Sequence, residues 1–274
     1  MPAINTNTAA NAAVRYLNIN SSQETSSLSK LSSGSRITSA SDDAAGLAIS
    51  TRISSDVTTL QQAATNASQA TAILQTADGG ASNISDILAR MKSLASESAS
   101  GTTTDSSRAY INSEFTQLTS EIDSIASGTR YSSQSLLDGS SVFASGVSVL
   151  VGSSGSDTIT ITLTSLTASS LGVSSLDVST LSDATSALTA LDTAIDTVSA
   201  ARASIGAQES RFNFSADSIS TQTQNLQSAN SAIKDVDIAA EQSKLSSAEV
   251  KTQAAVSALA AANQMPQYLL KLLG

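Results

Sequence analysis

The chain has 274 residues, a net charge of −9, and neither histidine nor cysteine. The commonest general base, the commonest thiol nucleophile and most transition-metal ligands are therefore missing, and no disulfide can form. An acidic balance without a cationic cluster argues against nucleic acid and against anionic membrane surfaces.

The 40% hydrophobic content is largely alanine, aromatics make up only 3%, and tryptophan is absent. Such a core buries little area per residue, at about 25 cal/mol per Å², so association is a natural way to bury more. No 18-residue apolar run suits a membrane span. The first twenty residues lack the cationic and apolar regions of a cleaved secretory signal, which leaves export by another route as the expectation.

Residues 1–40 read as a weak helix former, with Val14, Leu17, Leu28 and Leu31 on one heptad face and Ser21 and Glu24 at the seam positions between them. A helix this polar is marginal alone in water. Gly34 and its serines mark a break. Ser41, Asp42 and Asp43 then supply a helix-capping residue and first-turn carboxylates.

A long helix is expected over about 43–99. Its apolar seam runs in 4,3 spacing from Ile53 through Leu60, Leu74, Ile84, Leu88 and Met91 to Ala95, the period of helices packed along one line. Gly79-Gly80 normally reads as a stop, yet the heptad crosses it in phase. Gly101 ends this helix, and Ile111, Phe115, Leu118, Ile122 and Ile125 begin another. The period then changes to two. Val147, Val149 and Val151, then Ile159, Ile161 and Leu163, flank a glycine-rich loop and predict a β-hairpin.

A second long helix is expected over about 183–233, with its seam from Ala184 to Ile233 and the polar residues Arg202, Glu209 and Asn230 within it. Polar seam residues set register and partner choice. Asp235-Val236-Asp237 breaks the pattern and caps a last helix, in which Pro266 is expected to cause an interruption. The apolar tip from Tyr268, with Leu269, Leu270, Leu272 and Leu273, reads as a surface for other copies or a chaperone.

No catalytic arrangement emerges. No serine sits in a nucleophile elbow, no P-loop lysine follows Gly79-Gly80, and Asp42 with Asp43 reads as a helix start. The expected fold is mainly α: an elongated antiparallel bundle or coiled coil of long N- and C-terminal helices with a small β-hairpin insert. The segments are 1–40, 41–137, 138–182, 183–234 and 235–274.

The stretches Leu31-Ser32-Ser33-Gly34-Ser35-Arg36-Ile37 and Ser41-Asp42-Asp43-Ala44-Ala45-Gly46-Leu47-Ala48-Ile49 closely resemble the N-terminal signature of bacterial flagellins. Arg211-Phe212-Asn213 and Ala262-Asn263-Gln264-Met265-Pro266-Gln267, with the leucine-rich tail, resemble the C-terminal one. The resemblance covers about 1–137 and 183–274 and points to a compact type with little or no outer domain.

It implies a secreted, extracellular filament subunit for swimming motility, without cofactor or metal. Residues 1–40 and 235–274 would pair as an inner tube, surrounded by 41–137 and 183–234. The implied partners are further copies in a helical filament, a type III export apparatus with an export chaperone, and the filament cap and hook-associated proteins. Leu17, Leu28, Leu31, Val256, Leu259, Leu269, Leu270, Leu272 and Leu273 are the candidate polymerisation interface. Arg90, Leu94 and Glu114 match a patch that an animal innate immune receptor reads in some members. The competing readings are a hook–filament junction protein, whose termini are similar, and a filamentous adhesin-like binding module displaying the hairpin.

Overall fold

A computed structural model describes residues 6–273, except for the side chains of Pro266 and of residues 268–273. Six helices and two small sheets follow in the order α1 (Thr8–Ser33), α2 (Ala44–Ser98), α3 (Asp105–Gly128), β1 (Arg130–Tyr131), β2 (Gln134–Ser135), α4 (Val142–Ser145), β3 (Val147–Leu150), β4 (Thr158–Ile161), α5 (Leu181–Lys234) and α6 (Ile238–Leu273). They form two compact units, residues 1–55 with 225–274 and residues 56–224. The chain is mainly helical with a small β portion, as its periodicity indicates.

In the first unit, α1 and α6 pair along heptad seams. Asn7 caps α1, its Oδ1 accepting from the Ala10 amide at 3.0 Å, and Gly34 ends it with φ +68°, a left-handed conformation that glycine adopts without a Cβ penalty. On α6 the buried or half-buried positions are Glu241, Leu245, Ala248, Thr252, Ala255, Leu259 and Ala262, a strict 4,3 alternation.

On α1 the seam runs through Ala13, Leu17, Asn20, Glu24, Ser27 and Leu31, while Val14, Ser21 and Leu28 are exposed. This corrects the phase expected from the sequence. Val14 and Leu28 lie beside the seam, because polar groups across the pair fix its register. Ser27 Oγ donates to Glu241 Oε1 at 2.7 Å, and Thr252 Oγ1 donates to Glu24 Oε2 at 3.3 Å.

The last helix is also a correction. α6 runs through Pro266 without a break. A proline has no amide hydrogen, so the carbonyl four residues back, that of Ala262, loses its helical partner. Asn7 Nδ2 donates to that carbonyl at 2.8 Å, which removes the main reason for the helix to stop.

The two connections of this unit lie side by side. Ser35 and Asp235 form an antiparallel bridge, and the Val236 amide donates to Gly34 O at 3.1 Å. The Arg36 guanidinium donates twice to Ile233 O, at 3.1 and 2.7 Å, placing positive charge at the α5 C-terminus where the helix dipole favours it.

In the second unit, α2 and α5 are antiparallel, as the pairs Asp78–Arg202 and Lys92–Asp192 show. Their seams bury Leu74, Ile84, Leu88 and Met91 in one core with Leu191, Val198, Ile205 and Phe212, joined by Phe115 and Ile122 of α3, and Leu60 is buried as well. α2 crosses Gly79-Gly80 intact. A Cβ on Gly80 would stand 2.4 Å from Thr129 Oγ1 and 2.9 Å from Leu137, whereas one on Gly79 would meet nothing. Gly80 permits close approach of the segment leading into β1.

β3 and β4 form the expected hairpin, with Val147 opposite Ile161 and Leu150 opposite Thr158. Leu137, Phe143, Ile161, Leu166 and Val173 join the same core as the helices. Polar side chains on the helices hold this segment. Asn66 Nδ2 donates to Leu150 O at 3.2 Å, and Asp123 Oδ1 accepts from the Ala168 amide at 2.8 Å. Asn112 Oδ1 accepts from the Val178 amide at 3.1 Å. Buried Gln208 accepts from the Thr162 amide at 2.9 Å and donates to its carbonyl at 3.0 Å.

Candidate assembly interface

The α1–α6 pair buries small and polar residues and leaves larger apolar ones outside. Val14, Tyr16, Ile19 and Leu28 of α1, and Val250, Val256 and Met265 of α6, are exposed. A two-helix pair cannot enclose both flanks of its seam, so these side chains stay in water unless another chain covers them.

The candidate polymerisation residues therefore divide. Leu17, Leu31 and Leu259 are half-buried in the seam of the chain itself, whereas Leu28 and Val256 are exposed and available to a second copy. Leu269, Leu270, Leu272 and Leu273 lie in the backbone of α6, and their side chains fall outside the described residues.

Of the three capping candidates, Asp43 caps α2, with Oδ1 accepting from the Gly46 amide at 2.8 Å. Asp42 closes the preceding turn instead. Its Oδ2 accepts from the Thr38 and Ser39 amides, each at 3.0 Å, and from Thr38 Oγ1 at 2.9 Å. These bonds, the Thr38 amide first, hold its pKa below the ordinary carboxylate value. Ser41 Oγ reaches only Ser39 Oγ, at 2.7 Å. The carboxylates precede the first turn of α2, which holds none.

Arg202 on α5 grips Asp78 on α2 with two bonds, at 2.9 and 3.3 Å. Glu209, two turns further on, has a buried Oε1 without a hydrogen-bond partner among the described residues. Burial first, and then the charge of Asp78, pushes its carboxyl pKa up. Arg90 donates to Glu114 Oε1 at 3.0 and 2.7 Å, in an exposed pair. Leu94, the third residue of that patch, is only 2% exposed, so it supports the helix from inside rather than presenting a surface.

Sequence reasoning missed Asn7, Ser27, Glu241 and Gln208. The 4,3 alternation from Glu241 to Ala262 was readable. The pairing of Ser27 with Glu241 was not, because an inward serine has no periodic signature. Among the described residues there is no cluster of acidic side chains able to hold a metal ion, and no helix long and apolar enough to cross a membrane.

The bacterial flagellin N-terminal helical region matches residues 4–142, and the corresponding C-terminal helical region matches 188–273. A flagellin of Halalkalibacterium halodurans is 36% identical over 272 residues, spanning 98% of this chain and 99% of the relative. The chain belongs to the bacterial flagellin family. A flagellin of Listeria monocytogenes is 35% identical, and the flagellar filament 30.7 kDa core protein of Treponema maltophilum is 34% identical, each over 98% of this chain and 99% of the relative. The crystal structure of Bacillus cereus flagellin aligns with a TM-score of 0.52 at 29% identity, covering 61% of this chain and 94% of that one. This flagellin is of the compact type: residues between the two conserved regions amount to a short segment built into the second unit.

Proposed function

We propose that the chain is the structural subunit of an extracellular bacterial flagellar filament, assembled from many copies to serve swimming motility. Its membership of the flagellin family supports this reading, and the observation that carries it physically is the apolar flank of the α1–α6 pair. Leu28 and Val256 cost free energy in a lone subunit, and burial between copies recovers roughly 1.5–3 kcal/mol for each large apolar side chain.

The chain has no catalytic role in this reading. It leaves the cell through a flagellar type III export apparatus with an export chaperone, and in the filament it meets the cap and hook-associated proteins. Residues 1–40 and 235–274 form the inner tube, with 41–137 and 183–234 around it. Where an animal innate immune receptor meets the subunit, the exposed Arg90–Glu114 pair is the contact.

Electron microscopy and sedimentation of the purified full-length chain test the assembly. Long filaments are expected above a critical concentration. Leu28→Asp with Val256→Asp should abolish them while helix content stays unchanged, since both side chains are outside the fold. Filaments from that variant, or none from the parent chain, would refute the reading.

A further inference from the structure

The charges of the chain are sorted between its units. Residues 1–55 and 225–274 hold eight Lys or Arg against seven Asp or Glu, whereas residues 56–224 hold six against sixteen. The net negative charge of the chain thus belongs wholly to the second unit.

The first unit contains a groove of about 420 Å³ between α1 and α6, into which Lys30, Lys244 and Lys251 project together with four serines. One carboxylate, Glu241, lies at its floor and is already engaged. It accepts from Ser27 Oγ at 2.7 Å and from Lys244 Nζ at 2.9 Å. Lys30 and Lys251 form no ion pair among the described residues.

The groove is therefore two positive charges in excess, and the serine hydroxyls and the Gln23 amide around those charges can donate as well as accept. Its walls carry no large apolar side chain, so contact there has no hydrophobic drive. The excess positive charge makes an anionic partner the one that gains most from entering.

We propose that this groove docks carboxylate side chains from the second unit of another copy of the chain, as an electrostatic contact within the filament. The assignment rests on the filament reading above. It follows from charge complementarity: the protein that must pack densely on itself provides a cationic groove on one unit and an excess of ten negative charges on the other. Such a contact offsets part of the repulsion among the acidic second units of neighbouring copies. It also weakens with ionic strength, as the Debye length shrinks from about 10 Å at 0.1 M to about 3 Å at 1 M.

Filaments grown from equal amounts of ¹⁵N-labelled and unlabelled full-length chain, treated with a carbodiimide, test the contact directly. The reagent joins a lysine amine to a carboxylate in salt-bridge contact, releasing the activating group as a urea. Mass spectrometry should find mixed-isotope links from Lys30, Lys244 or Lys251 to acidic residues within 56–224. Lys30→Glu with Lys251→Glu, both outside the core, should raise the critical concentration at least tenfold at 50 mM NaCl and less than threefold at 500 mM.

Links confined to one copy, or unchanged assembly of the variant at 50 mM NaCl, would overturn the proposal while the filament reading stands. So would a fall in the parent chain's critical concentration with millimolar inorganic phosphate that the variant lacks, because that marks a small-anion site. Absence of filaments from the parent chain would overturn both readings.

Discussion

Asn7 serves two helix ends at once. Its Oδ1 caps the start of α1 at the Ala10 amide, and its Nδ2 satisfies Ala262 O, the carbonyl that Pro266 cannot serve. Asn7→Asp separates the two roles, since it keeps the cap acceptor and loses the donor. The expected cost is about 1 kcal/mol, read as roughly fivefold faster amide hydrogen exchange over residues 258–265. With Pro266→Ala present, the new amide bonds Ala262 O and the Asn7→Asp cost should shrink to a few tenths of that. An equal cost in both backgrounds would show that the Asn7 bond has no connection with the proline.

Glu241 should make the α1–α6 pair sensitive to acid. Its pKa is held below the ordinary glutamate value, chiefly by the Lys244 bond and then by Ser27. A depressed folded-state pKa gives stability that is complete above the unfolded value, about 4.3, and lost as pH falls through the folded one. The hydrogen-exchange protection factors of residues 8–33, which divide out the intrinsic slowing of exchange in acid, should fall on going from pH 5 to pH 3. Glu241→Gln should flatten that response, and an unaltered slope would exclude the carboxylate as its origin.

Glu209 should act with the opposite sign. Its pKa is raised, first by burial and then by Asp78, so the folded state takes up a proton at a pH where the unfolded chain is still ionised. Stability of the second unit should rise as pH falls through the raised value and level off below the unfolded one. Glu209→Leu should raise the Tm at neutral pH by a few degrees, corresponding to roughly 1–3 kcal/mol for an unsatisfied buried acceptor. It should also abolish the gain on acidification. A lower Tm for this variant would mean that Glu209 has a partner in solution.

The two adjacent glycines of α2 should respond oppositely to the same substitution. Gly79→Ala places a methyl in open space within a helix and should stabilise by roughly 0.5–1 kcal/mol. Gly80→Ala drives a methyl into Thr129 and Leu137 and should destabilise by about 1–3 kcal/mol. Thermal unfolding of both variants decides it, and equal shifts would exclude the close approach at Gly80.

The seams of α2 and α5 were legible because apolar side chains, alanine as often as leucine or isoleucine, recur at nearly every third or fourth residue, and from Leu60 to Met91 the structure buries or half-buries the side chains the period selects. The seam of α1 was less legible. Leu17, Glu24 and Leu31 belong to it under either phase, and the choice between Val14 with Leu28 and Ala13 with Ser27 rests on bonds to α6 that lie more than two hundred residues away in sequence. Hydrophobicity favours the first choice and hydrogen bonding the second, and in so polar a pair hydrogen bonding decides. The unbroken passage of α6 through Pro266 was illegible for the same reason, since the donor to Ala262 O sits on Asn7. The hairpin was plain from its period of two, whereas Gln208, which reads as an ordinary surface residue, gave no sign that it would hold Thr162.

The amides of Asn66 and Gln208 carry a consequence for a protein that accumulates at high local concentration. A two-stranded ribbon has two open edges, and every unpaired N–H and C=O along them is a template for a strand from another molecule. Asn66 occupies the carbonyl of Leu150 at the end of one strand, and Gln208 occupies both backbone groups of Thr162 just beyond the other. Helical side chains thereby occupy three backbone groups that a neighbouring strand could otherwise use. Copies thus have fewer free backbone groups through which to join sheet to sheet, while Leu28 and Val256 on the helices stay exposed to them.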